Sequence, residues 1–172
     1  MIRFTKQYHA ANCGAVVVFN FQKWIGMPGD YKKDILDLER ACGVDRETGS
    51  GPYDIMKGFR KLHGKDYSIK MHTIDDLYFP AFHIFTGNAI ILNHRVSYRG
   101  RHWSLLLPCE GNKRFSHFRW INSFALDFAG QKSKLRTPKV MEVTPEKFEE
   151  LVMRKTTFGD LPTVGLFIKE KR

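Results

Sequence analysis

The chain has 172 residues, 42% hydrophobic and 13% aromatic, which is material for one core and too little length for two ordinary domains, so residues 1–172 read as one domain. The formal charge is +10, and it is regional: residues 93 to 139 hold 10 Lys/Arg against 2 Asp/Glu, while residues 1 to 92 hold 12 against 10 and residues 140 to 172 hold 6 against 6. No apolar stretch of signal-peptide length opens the chain, and the longest apolar run, Ala15 to Phe19, is far short of the roughly 20 residues of a membrane span, so a cytoplasmic protein with no membrane partner is expected.

The three cysteines, Cys13, Cys42 and Cys109, are odd in number and widely spaced. That pattern argues against a disulfide scaffold and a zinc site, and for a reducing compartment. No metal or cofactor is expected.

In chain order, Asn12 is a candidate N-cap for a largely buried helix from Cys13 to Trp24, ended by Gly26 and Pro28. Asp30 caps a second helix with Ile35, Leu38, Ala41 and Cys42 on one face and Gly43 as its stop. Pro52 fits the first turn of a third, which carries Ile55, Met56, Phe59 and Leu62 and ends at Gly64. Tyr67 to Met71 alternates like a short strand, and Thr73 to Phe79 reads as a helical turn capped by Thr73 and interrupted at Pro80. Residues 89–92, 95–98, 102–107 and 115–121 read as strands, with hairpin turns at Arg99-Gly100-Arg101 and around Glu110 to Lys113. Thr144-Pro145-Glu146 starts a late helix to about Arg154, and Val164 to Ile168 adds a last strand. Helices first and antiparallel strands second make an α+β class, with a helical lobe and a sheet lobe meeting near Cys13.

The chemistry centres on Cys13. A thiol at a helix start lies at the positive end of the helix dipole, which favours the thiolate. Gly14 beside it lets a carbonyl approach the backbone, so that the Cys13 N–H can serve an oxyanion. Six residues upstream, the Gln7 amide can donate a second hydrogen bond to the same oxygen. His102, at the start of an apolar strand and just after a basic turn, is the candidate base. His63, His72 and His83 read as surface or cap histidines, whereas His9 and His117 stay open as alternatives. Asn122, at the end of the neighbouring strand, is the candidate for fixing the imidazole, with Asp127 as alternative and Trp120 as a shield on the same face.

Gln7, then Asn12-Cys13-Gly14 opening an apolar helix, then His102-Trp103 and Ile121-Asn122, in that order, resemble papain-like cysteine peptidases. More narrowly, the chain is similar to the bacteriocin-processing, double-glycine-leader peptidase family and its free-standing relatives over most of residues 5 to 155. The resemblance implies a papain-like fold, attack by the Cys13 thiolate on an amide or thioester-like carbonyl, and an acyl-enzyme released to water. In the leader-peptidase family the third member is commonly Asp followed by Pro; here it is Asn122 followed by Ser123, the papain choice.

The expected function is therefore a peptidase, isopeptidase or deamidase acting on a protein or peptide, an acidic one where the basic region selects it. Two other classes compete with it. One is a catalytically inactive papain-like binding module. The other is a nucleic-acid-binding protein, suggested by basic residues interleaved with Tyr98, Trp103, Phe115, Phe118 and Trp120.

Overall fold

The computed structural model describes residues 2–5, 7, 10–97, 100–122, 139–152 and 163–171. Helix α1 runs Cys13–Trp24, α2 Tyr31–Ala41 and α3 Pro52–His63, each with the bounds that its sequence signals set. Asp30 caps α2 by accepting a hydrogen bond from the Lys32 N–H at 3.0 Å, and Pro52 occupies the first turn of α3, where its missing N–H costs nothing. Gly26 ends the turn after α1 at φ 78°, a left-handed conformation that favours glycine.

The six strands, β1 Tyr67–Thr73, β2 Ala89–Ser97, β3 Gly100–Pro108, β4 Phe118–Asn122, β5 Lys139–Val143 and β6 Val164–Glu170, form one antiparallel sheet in the order β1-β6-β2-β3-β4-β5. Alternation along each strand gives the sheet two buried faces. Trp103, Leu105, Leu107, Ile91, Leu166 and Ile121 pack with α1, Leu38 of α2, and Ile55 and Phe59 of α3. Leu106, Ile90, Leu92, Phe118 and Trp120 pack on the other side, with Ile84 of α4 (Tyr78–Phe85) and Phe148 of α5 (Pro145–Val152).

Four expectations need correction. The helical turn expected at Thr73 to Phe79 is instead the end of β1 followed by α4 from Tyr78, with Pro80 inside it. Pro80 is the third helical residue, where no intrahelical acceptor exists for its N–H, so it starts this helix instead of interrupting it. The strands expected at 89–92 and 95–98 are one strand over Ala89–Ser97, with Tyr98 outside the described residues: Asn93 and His94, which look like a polar break, pair with Trp103 and His102 across the hairpin. Phe115 lies outside β4 and is exposed, and β5 has no counterpart in the sequence reading.

Candidate active site

Three connections build the neighbourhood of Cys13. From the amino-terminal side, the Asn20 side chain on α1 accepts from the Thr5 N–H (2.6 Å) and donates to the Thr5 carbonyl (3.0 Å), while Lys23 Nζ donates to Arg3 O (3.0 Å) and Thr5 Oγ1 (2.8 Å). These contacts set Arg3 and Thr5 beside the later turns of α1, Thr5 lying nearer the helix start than Arg3. Gln7 is buried.

Below, the turn before α3 supports the helix start. Gly49, at φ 78°, lies close to Ala11, a Cβ there coming 3.2 Å from the Ala11 carbonyl oxygen. A Cβ on Gly14 would fall 2.3 Å from Ile55 Cδ1 and 3.2 Å from the Ser50 side chain. Glycine at this position therefore lets α1 pack on α3, a structural demand beyond the carbonyl approach expected of it. Asn12 does stand at the N-cap position, but its side chain makes no cap; Nδ2 donates to Glu39 Oε1 of α2 at 3.1 Å.

From the sheet, Trp103 closes the group. Its indole Nε1 donates to the Ser50 carbonyl at 2.9 Å, and its main chain hydrogen bonds the Cys13 thiol. Cys13 is only 6% exposed. Burial raises its pKa, outweighing the main-chain groups of Trp103, Gly14 and Cys13 itself, which lower it. The helix start does favour the thiolate, as the sequence suggested, but the net shift has the opposite sign because the sulfur has lost its water.

His102 is buried at the β3 start, and its ring is hydrogen bonded by the Asn122 side chain. Its pKa falls to about 3, first through burial and then through the neighbouring His94 imidazole, with Asn122 acting in the opposite direction. By alternation His102 shares a sheet face with Leu106, Trp120 and Asn122, whereas Trp103 faces the helices and Cys13. The structure thus joins His102 to Asn122 through side chains, and Cys13 to the residue after His102 through the backbone. Nε2 of His102 makes no hydrogen bond to the thiol. Trp120 lies two residues before Asn122, and its Nε1 donates to Ser104 Oγ at 2.9 Å.

The remaining histidines sort by contact. His63 is not a surface residue: it is 3% exposed, set edge-on to Phe21 and tilted against Phe59, and hydrogen bonded with Gln22 at 3.2 Å. His83 is half-buried, with Nε2 against the carbonyls of Ile168 (2.9 Å) and Ala89 (3.2 Å). His72 lies in β1 against Phe79 and Phe167, and His117 is hydrogen bonded with Ser116 Oγ at 2.8 Å. His9 and Asp127 lie outside the described residues. The sequence reading missed His94, which is buried opposite His102; its place in the alternating apolar set Ile90, Leu92, His94 and Val96, one face of a continuous strand, was the signal that could have found it.

Trp103, Phe118 and Trp120 are buried, which removes them as surfaces for stacking bases. Of the basic residues near them, Arg101 donates to Asn93, Lys113 to Glu142 at 2.7 Å, and Arg119 lies 3.9 Å from Glu110. Among the described residues no group of three or more His, Cys, Asp or Glu could hold a metal ion, and no helix is long and apolar enough to cross a membrane.

No protein-family model matches the sequence, and no curated protein does. Among solved structures, the chain is similar to the peptidase domain of Streptococcus ComA, a bi-functional ABC transporter involved in a quorum-sensing pathway. The TM-score is 0.63 at 15% identity, and the match covers 99% of this chain and 100% of that one. The helices that precede the sheet, buried α1 among them, and the six antiparallel strands of the described residues make up an α+β, papain-like fold, that of a peptidase domain.

Proposed function

We propose that this chain is a cysteine hydrolase that opens an amide bond in a protein or peptide through Cys13, His102, Asn122 and Gln7. The carrying observation is the seating of the Cys13 thiol, at the first residue of a buried helix, against the main chain directly after His102, whose ring is held by Asn122. A peptidase-type fold over the whole chain supports the same reading.

In this mechanism the burial that disfavours both charges keeps the resting pair as thiol and neutral imidazole. A neutral imidazole is the form that accepts a proton. Proton transfer requires thiol and imidazole within about 3 to 3.5 Å, so this reading requires the His102 ring, set by alternation on the other face of β3 from Trp103, to turn past the strand start toward the thiol when substrate binds. His102 then takes the S–H proton as sulfur bonds to the carbonyl carbon. The carbonyl oxygen, now negative, is held by the Cys13 N–H and the Gln7 amide. As the C–N bond breaks, His102 returns its proton to the leaving amine. Water, deprotonated by the same imidazole, then cleaves the thioester and frees Cys13. Asn122 holds the ring in the orientation that both transfers need.

Peptidase, isopeptidase and deamidase activities share these steps, since each attacks an amide carbonyl. The three cysteines are free and buried, in keeping with a reducing, cytoplasmic setting. The test is an epoxysuccinyl peptide or iodoacetamide followed by mass spectrometry. Modification of Cys13 that is strongly slowed in His102→Ala supports the pair. Equal modification of Cys42 or Cys109, or an unchanged rate in His102→Ala, would leave the fold without this chemistry.

A further inference from the structure

Across the β2–β3 hairpin, His94 is the register partner of His102. The two rings meet edge to face, with centroids 5.8 Å apart and planes at 85°, and His94 also meets Trp120 at 5.6 Å and 70°. Both histidines are buried, at 4% and 2% exposure. A buried polar ring in the middle of a strand is costly unless it is paired, and an apolar residue would fill the space without that cost. On the far side of His102 stands Asn122, hydrogen bonded to its ring. The base is therefore held between an amide from β4 and a second imidazole from β2.

We propose that His94 is a positioning residue for the base His102: it packs on the ring from β2 and forms with it a coupled pair in which both imidazoles are not protonated together. This rests on the hydrolase reading above and extends it to a residue outside the Cys-His-Asn set.

The groups around this pair define its charge. From β3, Arg101 turns its guanidinium to Asn93, donating to that residue's carbonyl at 3.0 Å and to its side-chain oxygen. From β6, the neighbours of Asn93 and Leu92 are Val164 and Gly165; from β4 come Trp120 and Asn122; from α5, Phe148 meets Trp120 at 5.3 Å. From α1, the Cys13 thiol bonds the main chain after His102. Among the described residues, the neighbours named here bring polar and aromatic groups to the pair, and His94 itself brings a second imidazole. The His94 charge accordingly opposes protonation of His102, in the same direction as burial. A carboxylate here would instead hold the base protonated and idle at neutral pH. An imidazole supplies a ring of the right shape with no permanent negative charge.

The experiment compares wild-type protein with His94→Phe, which keeps an aromatic ring on His102 and removes the ionisation. Histidine-selective nitrogen-15 labelling follows each imidazole against pH, and iodoacetamide alkylation of Cys13 is followed over the same range. In His94→Phe, His102 should protonate about one pH unit higher, and the acid limb of Cys13 alkylation should move up with it. A His102 titration that does not move, in a His94→Phe protein of unchanged melting temperature, overturns the proposal. If His94→Phe does not fold, the wild-type spectra decide. Two coupled steps visible at both rings support the pair, and two independent single steps refute it. Failure of the underlying reading looks different: Cys13 alkylation would then keep its wild-type rate and pH profile in His102→Ala, whatever the two rings do.

Discussion

Trp103 Nε1 donates to the Ser50 carbonyl at 2.9 Å, and the same residue's main chain hydrogen bonds the Cys13 thiol. One side chain thus ties the start of β3 to the turn on which the first turn of α1 rests. In Trp103→Phe the apolar contact is largely kept while the buried carbonyl loses its donor, which should cost about 1 to 3 kcal/mol. Chemical denaturation measures this directly, and a loss no larger than that of an exposed aromatic such as Phe115→Leu would argue against the tie.

Gln7→Ala should lower kcat on an amide substrate about 100- to 1000-fold, with KM changed little, because an oxyanion donor acts only after the carbonyl oxygen becomes charged. Cys13 labelling by iodoacetamide, which has no such oxygen to stabilise, should keep its rate. Loss of labelling together with activity would instead mark Gln7 as a support for the helix start.

Acidification should destabilise the protein before its carboxylates titrate. His63 and His102 both have folded pKa values below the ordinary 6.5, burial being the first cause at each. The unfolded chain therefore binds protons that the folded chain refuses as pH falls below about 6.5. Stability is fully present above that pH and declines below it, toward the lower folded values. His63→Phe keeps a ring against Phe21 and Phe59 and removes one such group, so its melting temperature should fall less steeply between pH 6.5 and 5. Parallel curves for variant and parent would assign the acid sensitivity elsewhere.

The residues that were legible in the sequence share one property: their signals are local. The limits of α1, α2 and α3 follow from caps, glycines and periodicity, and all stand in the structure. What escaped depended on distant partners. His94 looked like a strand break because its partner lies eight residues on, across a hairpin. Pro80 looked like a stop because its effect depends on its place within the helix, which the chain around it does not announce. The sign of the Cys13 shift was out of reach for the same reason: the helix start is local, but the burial that outweighs it comes from the core that Cys13 shares with distant residues such as Ile55 and Trp103.

Gly58→Ala should destabilise, against the usual gain of alanine within a helix. A Cβ there would lie 2.4 Å from the Ala41 carbonyl oxygen at the end of α2, and that backbone cannot yield as a flexible side chain could. A loss of about 1 to 3 kcal/mol is expected from the overpacking. Cys42, the residue after Ala41, offers a second readout. Its pKa is pushed up to about 12, mainly by burial, so it should resist alkylation in the parent and label faster in the variant. A neutral or stabilising substitution would mean that α2 and α3 can part without loss.

In the strand order β1-β6-β2-β3-β4-β5, β1 pairs among the described residues with β6, 91 positions later by the register of Thr73 with Val164. On the ribosome, the helices and the β2–β3 hairpin emerge well before the strand that joins β1 to them. A nascent chain can thus hold Cys13, His102 and Asn122 while its sheet is still in two pieces. Closure of the sheet at β1 waits for a partner strand made 91 positions later, and a contact of such long range slows folding.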